Sequence, residues 1–315
     1  MSRSETYFGP EQKRLFEKTV VIVGVGGTGN QVAQMLARQG LKHLMIIDRD
    51  TLEESNLERQ MLYTKDDIDK PKVEAAKEKL CGLCNITASN KDLNNLNIDL
   101  LIPKSTDLII DCTDNAETRL LINDHSMNHK IPWLYTGAIG VTGTLYFIDP
   151  KNTNRACYQC FQGQHYGETC AEAGVLNSTV SGVASMAVSI ATHYLIKGDY
   201  PADLIRFDLE SFEKLSIKVK KDDNCKACQK NYEYLSGEKT KLFIKYCEKG
   251  KYHTFLNKLL DLDEIEHKLE AIGVPKKDAI SVRCEGVQVF KHGRIIIDAQ
   301  SQEEAKKKYD TALGI

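Results

Sequence analysis

The sequence predicts an α/β fold: a Rossmann-like, mostly parallel sheet followed in the chain by a small α+β domain. Three observations predict it. Residues 19–25 (TVVIVGV) are a short β-branched run that ends in glycine, as a strand buried on both faces would. Strand-like runs then alternate with helix-like ones, the pattern of a parallel sheet with crossover helices. The chain beyond residue 240 changes to closely spaced short strands separated by turn residues.

Taken in order, residues 30–39 continue from the glycine-rich turn as a helix, with Gly40 as its C′ residue. Residues 44–47 form a second strand that ends at Asp48. Pro71 is expected at N1 of a helix that runs on through 72–80. Residues 107–111 (DLIID) form a further buried strand, 116–129 a helix, and 145–148 part of another strand. Residues 178–197, rich in Ala, Val and Ser, read as a closely packed helix stopped by Gly198. Periodicity lapses over 232–240, which separates an expected domain 1–235 from a module 240–315. In that module, 279–284, 287–291 and 294–298 are three short strands. Glu285-Gly286 and His292-Gly293 are the turns, and Ser301 with Glu304 has the spacing of a capping box before a last helix closed by Gly314.

Composition narrows the function classes. The 315 residues carry 42 Lys and Arg against 44 Asp and Glu, a net charge of −2. This gives no reason to expect nucleic acid or an anionic membrane as the main partner. By contiguous count, no stretch approaches the roughly 20 apolar residues of a membrane span, and residues 1–10 are too polar for the core of a signal peptide. The ten cysteines are therefore expected in a reducing cytoplasm, where metal binding or catalysis outweighs disulfide formation.

The turn after the first strand contains Gly24, Gly26, Gly27 and Gly29, with Gly24, Gly26 and Gly29 in a G-x-G-x-x-G. Missing side chains there let backbone amides and a helix N-terminus approach phosphate. Asp48 ends the next strand, where an acid can accept ribose hydroxyls. So far the pattern says only nucleotide, and a nicotinamide-dependent oxidoreductase would share it. Asp50, Asn56 and Arg59 follow, and Lys72 stands in the first turn of a helix. A cation there opposes the helix dipole, which makes sense if lysine and helix end both face a polyphosphate. Asp114, with Asn115 beside it, follows the strand 107–111 at the edge where such sheets bind ligands. Its carboxylate suits magnesium on a triphosphate, and equally the N-cap of the helix beginning near 116.

Cys157 and Cys160, then Cys225 and Cys228, are two C-x-x-C pairs. Four thiolates so spaced suit a closed tetrahedral zinc site, structural because no position is left open. A redox pair is the alternative. Cys81 and Cys84 form a third pair, read as incidental. Cys170 has two readings: a nucleophile toward an activated acyl group, or a small buried residue. Cys112 is read as packing inside a strand, and Cys247 and Cys284 have no assigned role.

These residues together resemble the ThiF/MoeB/HesA family, relatives of ubiquitin-activating enzymes, over about residues 3–230. The motifs are VVIVGVGGTGNQVAQMLARQG, IIDRDTLEESNLERQ, DKPKVEAAKEKL, DCTDNAETR, the paired C-x-x-C and CAEAGVL. The resemblance implies a homodimer that binds ATP and magnesium. It would adenylate the C-terminal glycine of a β-grasp, ubiquitin-like or sulfur-carrier protein ending in Gly-Gly. It implies Asp48 as the ribose ligand, Asn56, Arg59 and Lys72 as triphosphate ligands, Asp114 as the catalytic magnesium-binding aspartate, and a structural zinc on the four cysteines. Arg3, at the matching distance before Phe8-Gly9, would be donated across the dimer, with Ser4 where the family usually has Gln. Cys170 falls where some members carry a cysteine implicated in sulfur transfer, which brings in a sulfur donor as a further partner. Asn177-Ser178 departs from the common Gly-Pro. The rival readings are a relative that adenylates a tRNA base, a nicotinamide-dependent oxidoreductase, and a non-catalytic adaptor.

Overall fold

The computed structural model describes residues 3–162, 174–239, 244–245, 250–256, 259–291 and 293–314. The chain divides into two compact units, residues 1–239 and 240–315.

The first unit is built on an eight-stranded sheet of order β3-β2-β1-β4-β5-β6-β7-β8. The strands are β1 (Thr19–Val23), β2 (His43–Asp48), β3 (Asn85–Asn90), β4 (Leu108–Asp111), β5 (Trp133–Ile139), β6 (Thr142–Ile148), β7 (Asp203–Asp208) and β8 (Lys214–Lys218). Pairing is parallel from β3 through β5 and antiparallel from there to β8. The alternation along β1 shows why its sequence is continuously apolar. Val20 and Ile22 belong to one core cluster, and Val21 and Val23 to another on the opposite face. The helices α2 (Gly27–Arg38) and α7 (Asn177–Lys197) supply the first cluster, through residues such as Val32, Leu36, Val183 and Ala187. The second takes residues from α4 (Ile98–Leu101) and α5 (Ala116–His129), and from the cysteine-bearing segments.

Three details correct the sequence reading. Pro71 is the N-cap of α3 (Lys72–Lys79) rather than its first residue; its ψ of 132° is extended, and helical geometry begins one residue later. Cys112 lies just past the end of β4 and is half-buried. The expectation that no stretch suits a membrane span fails for α7, whose 21 residues are long and apolar enough by composition. Counting contiguous apolar residues missed it because Ser, Thr and His interrupt the run, while abundant Ala and Val keep the average apolar. Most of its apolar window, 61%, is buried in the first unit, as expected of a core helix.

The second unit has its own antiparallel sheet, ordered β11-β12-β13-β14-β10-β9. Its strands are β9 (Ile244–Lys245), β10 (Lys251–Phe255), β11 (Lys276–Lys277), β12 (Ser281–Cys284), β13 (Val287–Phe290) and β14 (Arg294–Asp298). Helices α8 (Leu262–Leu269) and α9 (Gln302–Leu313) complete a separate core with Leu269, Val289, Ile295 and Ala305. Glu285 and Gly286 both have positive φ, 44° and 75°, the geometry of a two-residue hairpin turn whose twist matches its strands. Ser301 caps α9 by accepting from the Glu304 amide at 3.2 Å. The Glu304 carboxylate reaches back to the Gln300 amide, one residue before the cap. His292 lies outside the described residues.

Candidate active site and metal centre

Strand order reverses between β1 and β4, so the loops leaving their C-terminal ends face each other across a crevice, the usual ligand site of an open α/β sheet. The two loops are in contact. The Cys112 amide donates to the Val23 carbonyl at 2.8 Å, and Gly24 adopts φ +86° against the Cys112 carbonyl. A Cβ on Gly24 would stand 2.7 Å from that oxygen, and one on Gly29 would stand 1.9 Å from the Gly24 carbonyl. Both glycines are thus dictated by packing. Gly26, the N-cap of α2, differs: a Cβ there would meet only the Gln60 amide, at 3.9 Å. The backbone at the start of α2 is therefore open to a ligand. Gly27 lies at the helix start, where an added Cβ would crowd Val180 and approach Arg59.

Asp48 ties the strand end to this turn. One carboxylate oxygen accepts from the Val25 amide at 2.7 Å and the other from the Asp50 amide at 2.8 Å. Burial pushes this carboxyl up, and the nearby Asp50 adds to the rise; Lys72 and the two amides oppose it. Each oxygen keeps a second lone pair, so accepting ribose hydroxyls remains open to it.

Lys72 is only 6% exposed, and its ammonium pairs with Asp50 at 3.1 Å while its amide donates to the Asp50 carbonyl at 2.9 Å. A buried ammonium at a helix N-terminus is doubly unfavourable, and a carboxylate partner offsets both effects. Tyr63 braces the same corner, its hydroxyl donating to the Val25 carbonyl at 2.9 Å. Asn56 is buried and accepts from the Glu53 amide at 3.3 Å. Arg59, half-buried, donates to the Ser55 carbonyl at 3.1 Å. Gly24, Gly26, Gly27, Gly29, Asp48, Asp50 and Lys72 are thus joined by direct contacts, and Arg59 flanks Gly27.

Asn115, not Asp114, caps α5: its side-chain oxygen accepts from the Thr118 amide at 2.8 Å. The Asp114 carboxylate is exposed just beyond the C-terminal end of β4. Two arginines that sequence reasoning passed over bear on it electrostatically. Arg49 follows Asp48 directly and pairs with Asp92. Arg119 is one turn into α5. It pairs with the fully buried Asp111 at 3.1 Å, bonds the Thr113 and Thr136 carbonyls, and lies over the Tyr135 ring at 4.9 Å. Both guanidiniums lose solvation on burial, yet neighbouring acids, and Tyr135 beside Arg119, hold them above their ordinary range. The DCTDNAETR motif therefore encodes a locked loop: Asp111 also accepts from Thr113 through both amide and hydroxyl. The signal was available in the eight-residue spacing of Asp111 and Arg119, which puts one at a strand's end and the other on the first turns of the next helix.

The four cysteines converge from two distant segments. The sulfurs stand 3.5–3.8 Å apart in the pairs Cys157–Cys160, Cys157–Cys225, Cys160–Cys228 and Cys157–Cys228. A tetrahedral zinc with arms of about 2.3 Å requires sulfur–sulfur edges of about 3.8 Å. The donor set thus fits zinc with little adjustment. Hydrogen bonds from the other three thiols favour ionised Cys160. Asn123 of α5 contacts the Cys157 sulfur at 3.7 Å and accepts from the Tyr158 amide at 3.0 Å, orienting the first pair. Cys81 and Cys84 are not part of this cluster. The side chain of Arg3 and the whole of Cys170 lie outside the described residues.

Comparison with known proteins agrees with this geometry. The family model described as the ThiF family matches residues 3–227. The chain is 32% identical to the sulfur carrier protein ThiS adenylyltransferase of Bacillus subtilis, over 99% of this chain and 98% of that one. It is 31% identical to the molybdopterin-synthase adenylyltransferase of Escherichia coli, over 69% of this chain and 89% of that one. Among solved structures, that of E. coli MccB with ATP shares the fold, with a TM-score of 0.61 at 20% identity over 69% of this chain and 68% of that one. A glycine turn locked against β4, a buried lysine at a helix start and a four-cysteine cluster thus occur in a chain matched from residue 3 to residue 227, and the protein belongs to the ThiF family.

Proposed function

We propose that this protein is an adenylyltransferase that uses ATP to activate the C-terminal carboxylate of a ubiquitin-like sulfur-carrier protein ending in Gly-Gly. The observation that carries the reading is the joined set of open phosphate turn, Asp48 and buried Lys72, in a chain that matches a ThiS adenylyltransferase along nearly its full length. A carrier carboxylate oxygen attacks the α-phosphorus, a new P–O bond forms, and the bond to the β-phosphate oxygen breaks to release pyrophosphate. Both reactants are anionic, so catalysis is chiefly positioning and charge neutralisation. The start of α2 cradles phosphate, Asp48 accepts ribose hydroxyls, and Asn56, Arg59 and Lys72 bind the polyphosphate. Asp114 would hold magnesium, which would supply neutralisation of phosphate charge. Arg49 and Arg119 orient the acidic groups around it.

The chain works as a cytoplasmic homodimer in this reading, with Arg3 donated to the partner's site. The four cysteines hold a structural zinc. The Cys170 thiolate attacks the carbonyl of the acyl-adenylate, forming a thioester and releasing AMP, or meets a sulfur donor, and the product enters sulfur transfer or conjugation.

Pyrophosphate exchange tests the proposal. Labelled pyrophosphate should enter ATP only when the right Gly-Gly carrier is present, and Asp114→Ala should lower the rate at least a hundredfold. Silence with every carrier of the host, despite ATP binding, would overturn it in favour of a nucleic-acid substrate or an adaptor.

A further inference from the structure

Helix α5 carries a second cluster of ligand-type side chains, which shares no residue with either site above. His125 and His129 are one turn apart, so both lie on one face, and their rings meet edge-on with centroids 4.6 Å apart. Asp99 of α4 faces them. One of its carboxylate oxygens is 3.2 Å from His125 Nδ1 and 3.0 Å from His129 Nε2. All three ligand atoms lie within 4.8 Å of one another.

The wiring of His125 is the informative feature. The residue is completely buried, and its Nε2 is 3.1 Å from the Ile102 carbonyl. A carbonyl only accepts, so Nε2 carries the hydrogen and the neutral ring presents its lone pair at Nδ1. That buried Nδ1 has no hydrogen bond of acceptable geometry, although the Asp99 oxygen is close. The lone pair at Nδ1 therefore faces a carboxylate oxygen that is also hydrogen-bonded to His129 Nε2 at 3.0 Å, and a cation among the three atoms would satisfy the buried nitrogen that this bond leaves without a partner.

We propose that Asp99, His125 and His129 form a divalent transition-metal site, with zinc as its fitting occupant. Two imidazoles and a carboxylate are donors that zinc accepts at about 2.0–2.2 Å. Tetrahedral edges of about 3.4 Å follow from those arms, near the 3.0 and 3.2 Å seen here. His125 already has the outer partner that metal-bound histidines use, a backbone carbonyl on the far ring nitrogen. Asp99 is 68% exposed at its side chain, so the fourth position opens to water or to an external ligand. The bound ion would clamp α4 to the end of α5.

Zinc titration of the full chain tests this, starting from protein that already carries one equivalent on its cysteines. Wild type should take up one further zinc per chain in calorimetry, with a rise in melting temperature. His129→Ala and Asp99→Asn, chosen because neither removes the buried histidine, should bind that equivalent at least tenfold more weakly and lose the rise. A wild-type isotherm without a second equivalent, or isotherms that superimpose for all three proteins, would overturn the proposal.

Discussion

Gly24 and Gly82 have nearly the same left-handed backbone, φ +86° and +81°, but different surroundings. A methyl group on Gly82 enters open space, whereas one on Gly24 meets the Cys112 carbonyl at 2.7 Å. Gly82→Ala should therefore cost only the left-handed strain, about 1 kcal/mol. Gly24→Ala should cost that plus the displacement of the β4 loop, about 3 kcal/mol or more in all. Urea denaturation of the two variants checks the difference; equal losses would mean that the β4 loop yields freely. ATP affinity should fall for Gly24→Ala alone, because the displaced loop carries Asp114. At this scale the sequence was informative wherever a residue type is chemically constrained, as at Gly24, Asp48 and the four cysteines. It left undecided whether Asp114 holds magnesium or caps α5, because spacing allows both; the fold gives the cap to Asn115. The partner of Lys72 was hidden for a related reason. Asp50 and Lys72 are 22 residues apart, and a salt bridge between them exists only once β2 and α3 have been placed.

Short elements around the nucleotide turn depend on buried carboxylates, and one of these makes stability depend on pH. Asp67 closes the 3₁₀ turn Lys65–Asp67 by accepting from the Thr64 amide at 2.8 Å and pairs with Lys79 of α3 at 2.8 Å. Burial alone would raise its pKa, but the Lys79 and Thr64 hydrogen bonds outweigh burial and lower it to about 2. A carboxyl whose folded pKa is depressed stabilises the fold above its unfolded pKa of about 3.9, and the benefit is lost as pH falls through the folded value. Asp67→Asn should therefore be less stable than wild type at pH 7, with the gap narrowing between about pH 4 and pH 2. Thermal melts of both proteins across that range would show it; a gap constant with pH would mean that the charge contributes nothing. Elements such as this turn were not legible in the sequence, since three residues carry no periodicity. The same holds for β5, β7 and β8. Residues 133–139 (WLYTGAI) contain a glycine and a threonine, and β8 (Lys214–Lys218) is exposed along its whole length at the sheet's edge, so neither shows the apolar run of a central strand. The strands buried on both faces, β1, β2 and β4, were legible for the opposite reason.

Across the whole molecule, the two units keep separate cores, two clusters within residues 8–235 and a third within 252–313. The proposed zinc belongs to the first. It joins Cys157 and Cys160 to Cys225 and Cys228, 68 residues further on. Asn123 and Asp124 of α5 pass that link inward, Asn123 to the Cys157 segment and Asp124 to the Tyr234 and Leu235 amides. Zinc binding supplies about 10–16 kcal/mol to small finger peptides, where it is most of the folding energy. Here the sheet has its own core, and the metal should matter most to the segments it ties down. Removing zinc with a chelator, or substituting Cys225→Ser, should therefore raise hydrogen exchange in residues 156–162, 219–239 and the middle of α5. The central strands β1 and β4 should stay protected, because α2 and α7 cover one face and residues of α4 and α5 remain on the other. Strands β12 to β14 and helix α9 should exchange as before, their core being lined by residues of the second unit alone. Loss of protection in β12 to β14 on chelation would contradict this division and make the zinc a determinant of the whole chain's stability.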